Sequence, residues 1–148
     1  MTIEGGIVDL GAAECRDLLT TDTVGRLAFV TPKGPRIVPV NYVVAGDAVE
    51  FRTAAYSELA AYAPGTEVAF EIDHLDRERR RGWSVIALGP CERLDDEETA
   101  DLRFRTPEQD PRPWAGGQRS LRLRVRWREL TGRRVGGDHW PHPVVSGH

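Results

Sequence analysis

Three short segments carry residue types that could grip an anion. Arg36–Asn41 (RIVPVN) is β-rich with Pro39 inside it, Phe51-Arg52-Thr53 ends a neighbouring run, and Ser57 follows four residues after Thr53, ahead of a short Ala-rich stretch. Pro39 cannot donate to a ladder, which implies an edge, a bulge or a backbone turned toward a ligand. Ser57 suits a helix N-cap, and helix N–H groups beside hydroxyls and an Arg form a phosphate cradle. Each residue also has a structural use: Arg52 as a salt-bridge partner, Thr53 as a strand former, Ser57 as a plain cap.

Other chemistry finds less support. The patterns GxSxG, HExxH, GxxxxGK[ST] and GxGxxG are absent, and His74, His139 and His142 fall in loops or the tail, so no catalytic acid, base or nucleophile is assigned. His139-Trp140-Pro141-His142 could touch a metal, but Pro141 prevents a helical i,i+3 face and no third ligand lies nearby; no metal site is expected. Arg122, Arg124, Arg126 and Arg128 alternate with Leu121, Leu123, Val125 and Trp127. Without aromatics interleaved on the Arg face, a solvated or salt-bridged surface is expected, not a nucleic-acid footprint.

These residues need elements to hold them. Residues 11–20 read as a helix, with Cys15, Leu18 and Leu19 on one face. Strands are expected over Gly25–Thr31, Arg36–Val44, Ala48–Thr53, Glu67–Asp73, Gly82–Leu94 (with a break at Gly89-Pro90) and Ser120–Arg128. Ala45-Gly46-Asp47 closes a hairpin, His74–Arg81 reads as a charged loop, and Thr106–Gly117 as a Pro-rich one. Short helices are expected at 57–63 and at 95–105, where acids lead and Arg trails in keeping with the helix dipole. The fold class is mainly β: a six-stranded antiparallel barrel, closed to protect its edges, with a few short helices.

Composition agrees with one domain over residues 1–135, followed by an irregular tail over 136–148. The 148 residues are 40% hydrophobic and 29% charged, a globular balance. Nineteen Arg stand against the single Lys33, and the charge is uneven: residues 1–110 carry a net −9 and residues 111–148 a net +6. That split favours internal pairing over a surface that coats nucleic acid. No apolar run approaches the roughly 18–20 residues of a membrane span. With no signal peptide and with Cys15 and Cys91 isolated, the expected setting is a reducing cytoplasm.

Six segments in order then resemble one family. Val24–Phe29 (VGRLAF), Ile37–Tyr42 (IVPVNY), Phe51-Arg52-Thr53, Gly82–Val85 (GWSV), Pro113-Trp114-Ala115 and Thr131–Arg134 (TGRR) are similar to the pyridoxamine 5′-phosphate oxidase-like family of flavin-binding split barrels, in its short bacterial branch. The resemblance covers roughly residues 10–135. It implies a homodimer with two FMN sites at the subunit interface and a flavin-dependent oxidoreductase of unknown substrate. It also implies that Arg36, Val38, Pro39, Val40 and Asn41 run along the isoalloxazine and ribityl chain, and that Arg52, Thr53 and Ser57 face the phosphate. Trp83, Ser84, Trp114 and Arg119 would approach from the partner subunit. Pyridoxamine 5′-phosphate oxidase activity itself is not expected, because the branch is shorter and no substrate-phosphate motif is found.

One departure stands out. The family commonly reads T-A-P-G-S-K-L, with the Lys on the phosphate; here Thr53–Leu59 reads T-A-A-Y-S-E-L. Glu58 replaces a cation with an anion, and Tyr56 replaces a Gly free to adopt positive φ. Either Arg36 and Arg52 suffice, or Glu58 turns outward, or FMN is weak or absent. The alternatives are a deazaflavin such as F420, a non-enzymatic flavin carrier and a cofactor-free degenerate dimer. Haem, the remaining alternative, would need His74 or a tail His.

Overall fold

The computed structural model describes residues 6–102, 106–114 and 119–136. Their eight strands are β1 (Ile7–Asp9), β2 (Val24–Thr31), β3 (Gly34–Ala45), β4 (Ala48–Thr53), β5 (Glu67–Asp76), β6 (Arg81–Arg93), β7 (Leu121–Arg126) and β8 (Glu129–Val135). Three short helices join them, α1 (Ala12–Leu19), α2 (Glu58–Tyr62) and α3 (Asp96–Asp101), with a 3-10 turn at Pro107–Gln109. Residues 103–105, 115–118 and 137–148, including the tail's His139 and His142, lie outside the described residues.

Antiparallel pairing runs β6-β5-β2-β3-β4-β7, and β7 returns to β6, so six strands close a barrel. These are the six segments whose residues read as strands. The remaining two, β1 and β8, form a flap on the outer side of β6. Period-2 alternation drives the closure: along β2, Gly25, Leu27, Phe29 and Thr31 are buried and the residues between them are not. Leu27, Phe51, Phe70, Ile72, Val85, Leu123 and Val125 are fully buried, so side chains fill the interior. Tyr42 meets Phe70 edge-to-face at 4.7 Å between centroids, and its hydroxyl donates to the Leu19 carbonyl at 2.5 Å, tying α1 to the barrel. Burial pushes the Tyr42 phenol well above its ordinary range.

The ring is split at one seam. β3 pairs with β2 over residues 34–41 but with β4 only over 42–45. The second edge of β3 over residues 35–41 therefore has no strand partner among the described residues. Pro39 sits in that stretch, where its missing N–H costs nothing.

Several boundaries differ from the sequence reading, β3 for one running from Gly34 to Ala45, and two of the differences have a visible cause. The strand expected to reach Arg128 ends at Arg126, because the Trp127 N–H donates to the Asp47 carbonyl (3.2 Å) and the Arg128 N–H to the Leu88 carbonyl (2.9 Å), turning the chain into β8. The charged loop at His74–Arg81 is also shorter, since β5 continues to Asp76 and β6 begins at Arg81.

The Arg stripe is salt-bridged. Arg122 pairs with both oxygens of Asp110, Arg124 with Glu92 (3.0 Å) and Glu98, Arg126 with Glu92 (3.4 Å), and Arg128 with Glu67 (2.5 Å). The basic final quarter is thus laid against acids from the earlier chain. Glu98 also completes a capping box with Asp95 at the start of α3. The hydrogen bond from Arg124 holds the Glu98 carboxyl below its ordinary value. A depressed carboxyl stabilises the fold above its unfolded value of about 4.3 and loses that contribution as pH falls through the folded value. Thermal melts between about pH 6 and 3 should show the wild type losing more stability than Glu98→Gln. Parallel curves would mean the pair contributes nothing.

No helix among the described residues is long and apolar enough to cross a membrane. Nor, among them, do three or more His, Cys, Asp or Glu gather to hold a metal.

Candidate functional site

A cavity of about 250 Å³ opens at the split seam, between the free edge of β3, the end of β4 and the start of α2. Val38, Pro39, Val40, Asn41, Arg52, Thr53, Ser57 and Arg119 line it, eight of the twelve expected site residues, joined by Phe29, Glu58, Leu59 and Pro113. Local chemistry explains the gathering. β4 ends at Thr53, and a turn carries the chain to Ser57, whose hydroxyl caps α2 by accepting from the Ala60 N–H at 3.0 Å. Thr53 and Ser57 hydroxyls lie 2.9 Å apart. One hydroxyl proton is used between them, which leaves the other free to donate. At five residues, α2 is too short to supply a helix dipole, so the hydroxyls and guanidiniums carry the anion chemistry that the sequence reading shared with a helix end.

The cations are held unequally. Arg52 Nε donates to the Arg119 carbonyl at 2.9 Å, and Arg52 Nη1 lies 3.9 Å from Asp110. Arg119 Nε is buried and has no hydrogen-bond partner among the described residues. A buried, unsatisfied guanidinium N–H costs free energy unless an acceptor reaches it, and a phosphate oxygen is such an acceptor. Arg36 stands at the rim with its Nε on Glu58 at 3.0 Å. Glu58 therefore does not turn away from the site; it lines the wall and neutralises Arg36.

The other expected residues fall differently. Trp114 is next to lining Pro113; its N–H donates to the Asn41 side chain at 2.9 Å, and its ring is 79% exposed. Arg119, expected from across a subunit boundary, lines the cavity of its own chain. Trp83 is buried in β6 and stacks on His74 at 6.3 Å, while Ser84 opens onto a separate groove beside β8. Neither reaches the seam cavity of the same chain. Asp110, which anchors Arg122 and approaches Arg52, was not among the expected residues. Its sole signal was an acid inside the Pro-rich loop, with nothing to indicate which Arg it would meet.

Three comparisons bear on this geometry. Residues 11–134 match the pyridoxamine 5′-phosphate oxidase family. Rv0080, an uncharacterized protein of Mycobacterium tuberculosis, is 34% identical over 97 residues, 62% of this chain and 64% of that protein. An FAD-binding protein of Mycobacterium smegmatis superposes with a TM-score of 0.67 at 32% identity, covering 87% of this chain and 98% of its own. An FAD-binding protein of Mesorhizobium loti, at 24% identity, shares the fold with a TM-score of 0.64 over 86% of this chain and 97% of its own. With a family match that spans α1 through β8 and a barrel open at the same seam that gathers the expected residues, the chain belongs to the pyridoxamine 5′-phosphate oxidase family.

Proposed function

We propose that this chain binds a flavin in the split seam and serves as a flavin-dependent oxidoreductase. The observation that carries the reading is the cavity itself: a strand edge at 35–41 on one wall and a buried Arg119 Nε on another, both without a partner among the described residues. The apolar stretch Val38–Val40 suits a flat ring system, and backbone groups of the free edge suit its polar rim. Arg52, Arg119 and the Thr53–Ser57 hydroxyl pair suit a phosphate. FMN is the smallest ligand with both parts, and the deazaflavin F420 is the alternative. The FAD-binding relatives support a flavin as the class. When bound, the flavin supplies hydride or electron transfer, and the protein supplies placement and electrostatics.

A second copy is part of the proposal. Val30 and Ile37, 67% and 70% exposed, lie on the outer face of the β2–β3 pair beside the seam, and burying them against a partner would bring further residues to the cavity. Trp83 and Ser84, far from their own chain's cavity, are candidates to reach the partner's. The cytoplasm is the proposed setting.

Absorbance of the purified protein, before and after added flavin, tests the reading. Bands at about 375 and 450 nm indicate flavin, and one at about 420 nm indicates F420. A colourless protein that takes up neither overturns it. A specific observation keeps a carrier role as the second reading: the sole carboxylate on the described lining, Glu58, is tied to Arg36, so no acid or base stands ready. Oxidation of NADH or NADPH by the loaded protein separates an enzyme from a carrier.

A further inference from the structure

Away from the cavity, the outer face of the sheet holds three charged side chains in mutual contact. Arg26 on β2 stands directly opposite Glu71 on β5, and its guanidinium grips both Glu71, at 2.6 Å, and Asp73, at 2.9 Å. One cation therefore serves two carboxylates, which leaves the cluster with a surplus negative charge. Burial and a hydrogen bond with Asp73 hold the Glu71 carboxyl above its ordinary range, against the pull of Arg26. Two carboxyl groups in such contact are best satisfied when they share a proton.

Residues directly opposite on paired strands share a face, so the register gives the surroundings. Pro39 on β3 flanks Arg26, Ile86 on β6 flanks Glu71, and Ser84 flanks Asp73. Ala28, Val30 and Ile37 continue the same apolar face beside Arg26. The next charged groups on it are Glu67 on β5, engaged with Arg128, and Glu129 and Arg133 on β8, beyond β6. His74 alternates with Asp73 onto the opposite face, where it stacks on Trp83. Among the described residues, no second cation pairs with Glu71 or Asp73.

This is the face that the proposed second copy covers. Pro39 lines the seam cavity, and Ser84, which does not reach that cavity in its own chain, lies further along the same face. A copy that brings Ser84 to its neighbour's seam therefore excludes water from the cluster in both chains. The surplus carboxylate then loses its hydration without gaining a counter-ion, and taking up a proton removes its charge. In a two-fold interface both copies present the same cluster, which doubles the effect.

We propose that the Arg26–Glu71–Asp73 cluster makes the pairing of two copies proton-linked: the dimer takes up protons there and tightens as pH falls from about 8 to about 6. The inference rests on the second copy put forward above and not on which flavin occupies the seam.

Sedimentation velocity over a dilution series of the full chain, at about pH 8, 7 and 6 and constant ionic strength, provides the test. Each proton taken up strengthens association by about tenfold per pH unit where the groups titrate, so the wild type should dimerise at least about tenfold more tightly at the acidic end. Ordinary carboxylates, near about 4, are ionised throughout this window and contribute nothing. Glu71→Gln keeps the shape and hydrogen bonds of a protonated carboxyl. It should dimerise with little pH dependence, at about the affinity the wild type shows at the acidic end, and the wild-type profile stands without any variant. Wild-type association that is flat, or that weakens as pH falls, overturns the inference. A Glu71→Gln slope equal to that of the wild type overturns it too and moves the titration to another group such as His74. A chain that stays monomeric at every pH and concentration overturns the second copy itself, and this inference with it.

Discussion

Arg119→Met should weaken the binding of phosphorylated flavins by about 10- to 100-fold while leaving riboflavin nearly unaffected. A hydrogen bond to a charged group contributes about 1.5–3 kcal/mol, and each 1.4 kcal/mol is tenfold in affinity. The Arg119 Nε is buried and without an acceptor among the described residues, so it has the most to gain from a ligand oxygen. Met keeps the length of the side chain and retains the backbone carbonyl on which Arg52 Nε rests at 2.9 Å. Arg52 therefore stays in place, and the loss reports Arg119 alone. Melting should be unchanged or slightly raised, because an unsatisfied buried donor is removed. Calorimetric titration with riboflavin, FMN and FAD measures the effect. An equal loss for riboflavin would assign Arg119 to packing instead.

The second large effect lies far from the cavity. At Gly89 the strand β6 changes partners, from β8 over Gly82–Leu88 to β7 over Cys91–Arg93. A Cβ added at Gly89 would stand 2.2 Å from the Arg126 carbonyl oxygen and 3.0 Å from the Trp127 Cα. The obstacle is backbone, so no rotamer change relieves it. Overpacking typically costs 1–3 kcal/mol, and a main-chain clash at a crossover belongs at the upper end or beyond, about 3 kcal/mol. Gly89→Ala should then lower the melting temperature by about 6–12 °C for a chain of this size. Differential scanning calorimetry decides it. A shift below about 2 °C would mean that the two strands separate easily, contrary to the tight crossing.

The barrel was legible because its signal is local. β5 and β7 alternate apolar and polar residues, and Gly or Pro marks the turns, as in Pro64-Gly65 before β5 and Gly46 before β4. β6 runs unbroken through Gly89-Pro90, where a break was expected; what changes there is the partner on one edge, from β8 to β7. The flap was not legible. Ile7–Asp9 is exposed throughout, and Glu129–Val135 mixes burial classes around Gly132, so neither shows the period that burial of one face imposes. Site residues on a continuous segment, such as Val38–Asn41 with Arg52, Thr53 and Ser57, were readable from type and order together with the family resemblance. Pairings across segments were not. That Glu58 lines the wall and takes Arg36 as its partner depends on how β3 meets α2. That Arg119 belongs to its own chain's cavity depends on the Arg52 guanidinium meeting a carbonyl 67 positions further along the sequence. Charge asymmetry between the two parts of the chain hinted at long-range pairing, but it could not say which acid each Arg would meet.

One consequence of the strand order concerns the making of the molecule. β7 is the last ring strand in sequence, yet it lies between β4 and β6 and bonds to both. As the chain is synthesised, every earlier ring strand has emerged while β4 and the end of β6 still present open edges, together with the acids Glu92, Glu98 and Asp110. Ring closure thus waits on one six-residue segment that must find partners some 30 and 75 positions earlier. Contacts of that separation slow folding, and open edges invite pairing with other chains. The Arg residues of β7 meet those acids on arrival, so opposite charge favours the correct insertion over a stray strand. What lies quiet as a salt-bridged surface in the finished barrel is, during birth, the attraction that draws its closing stave into place.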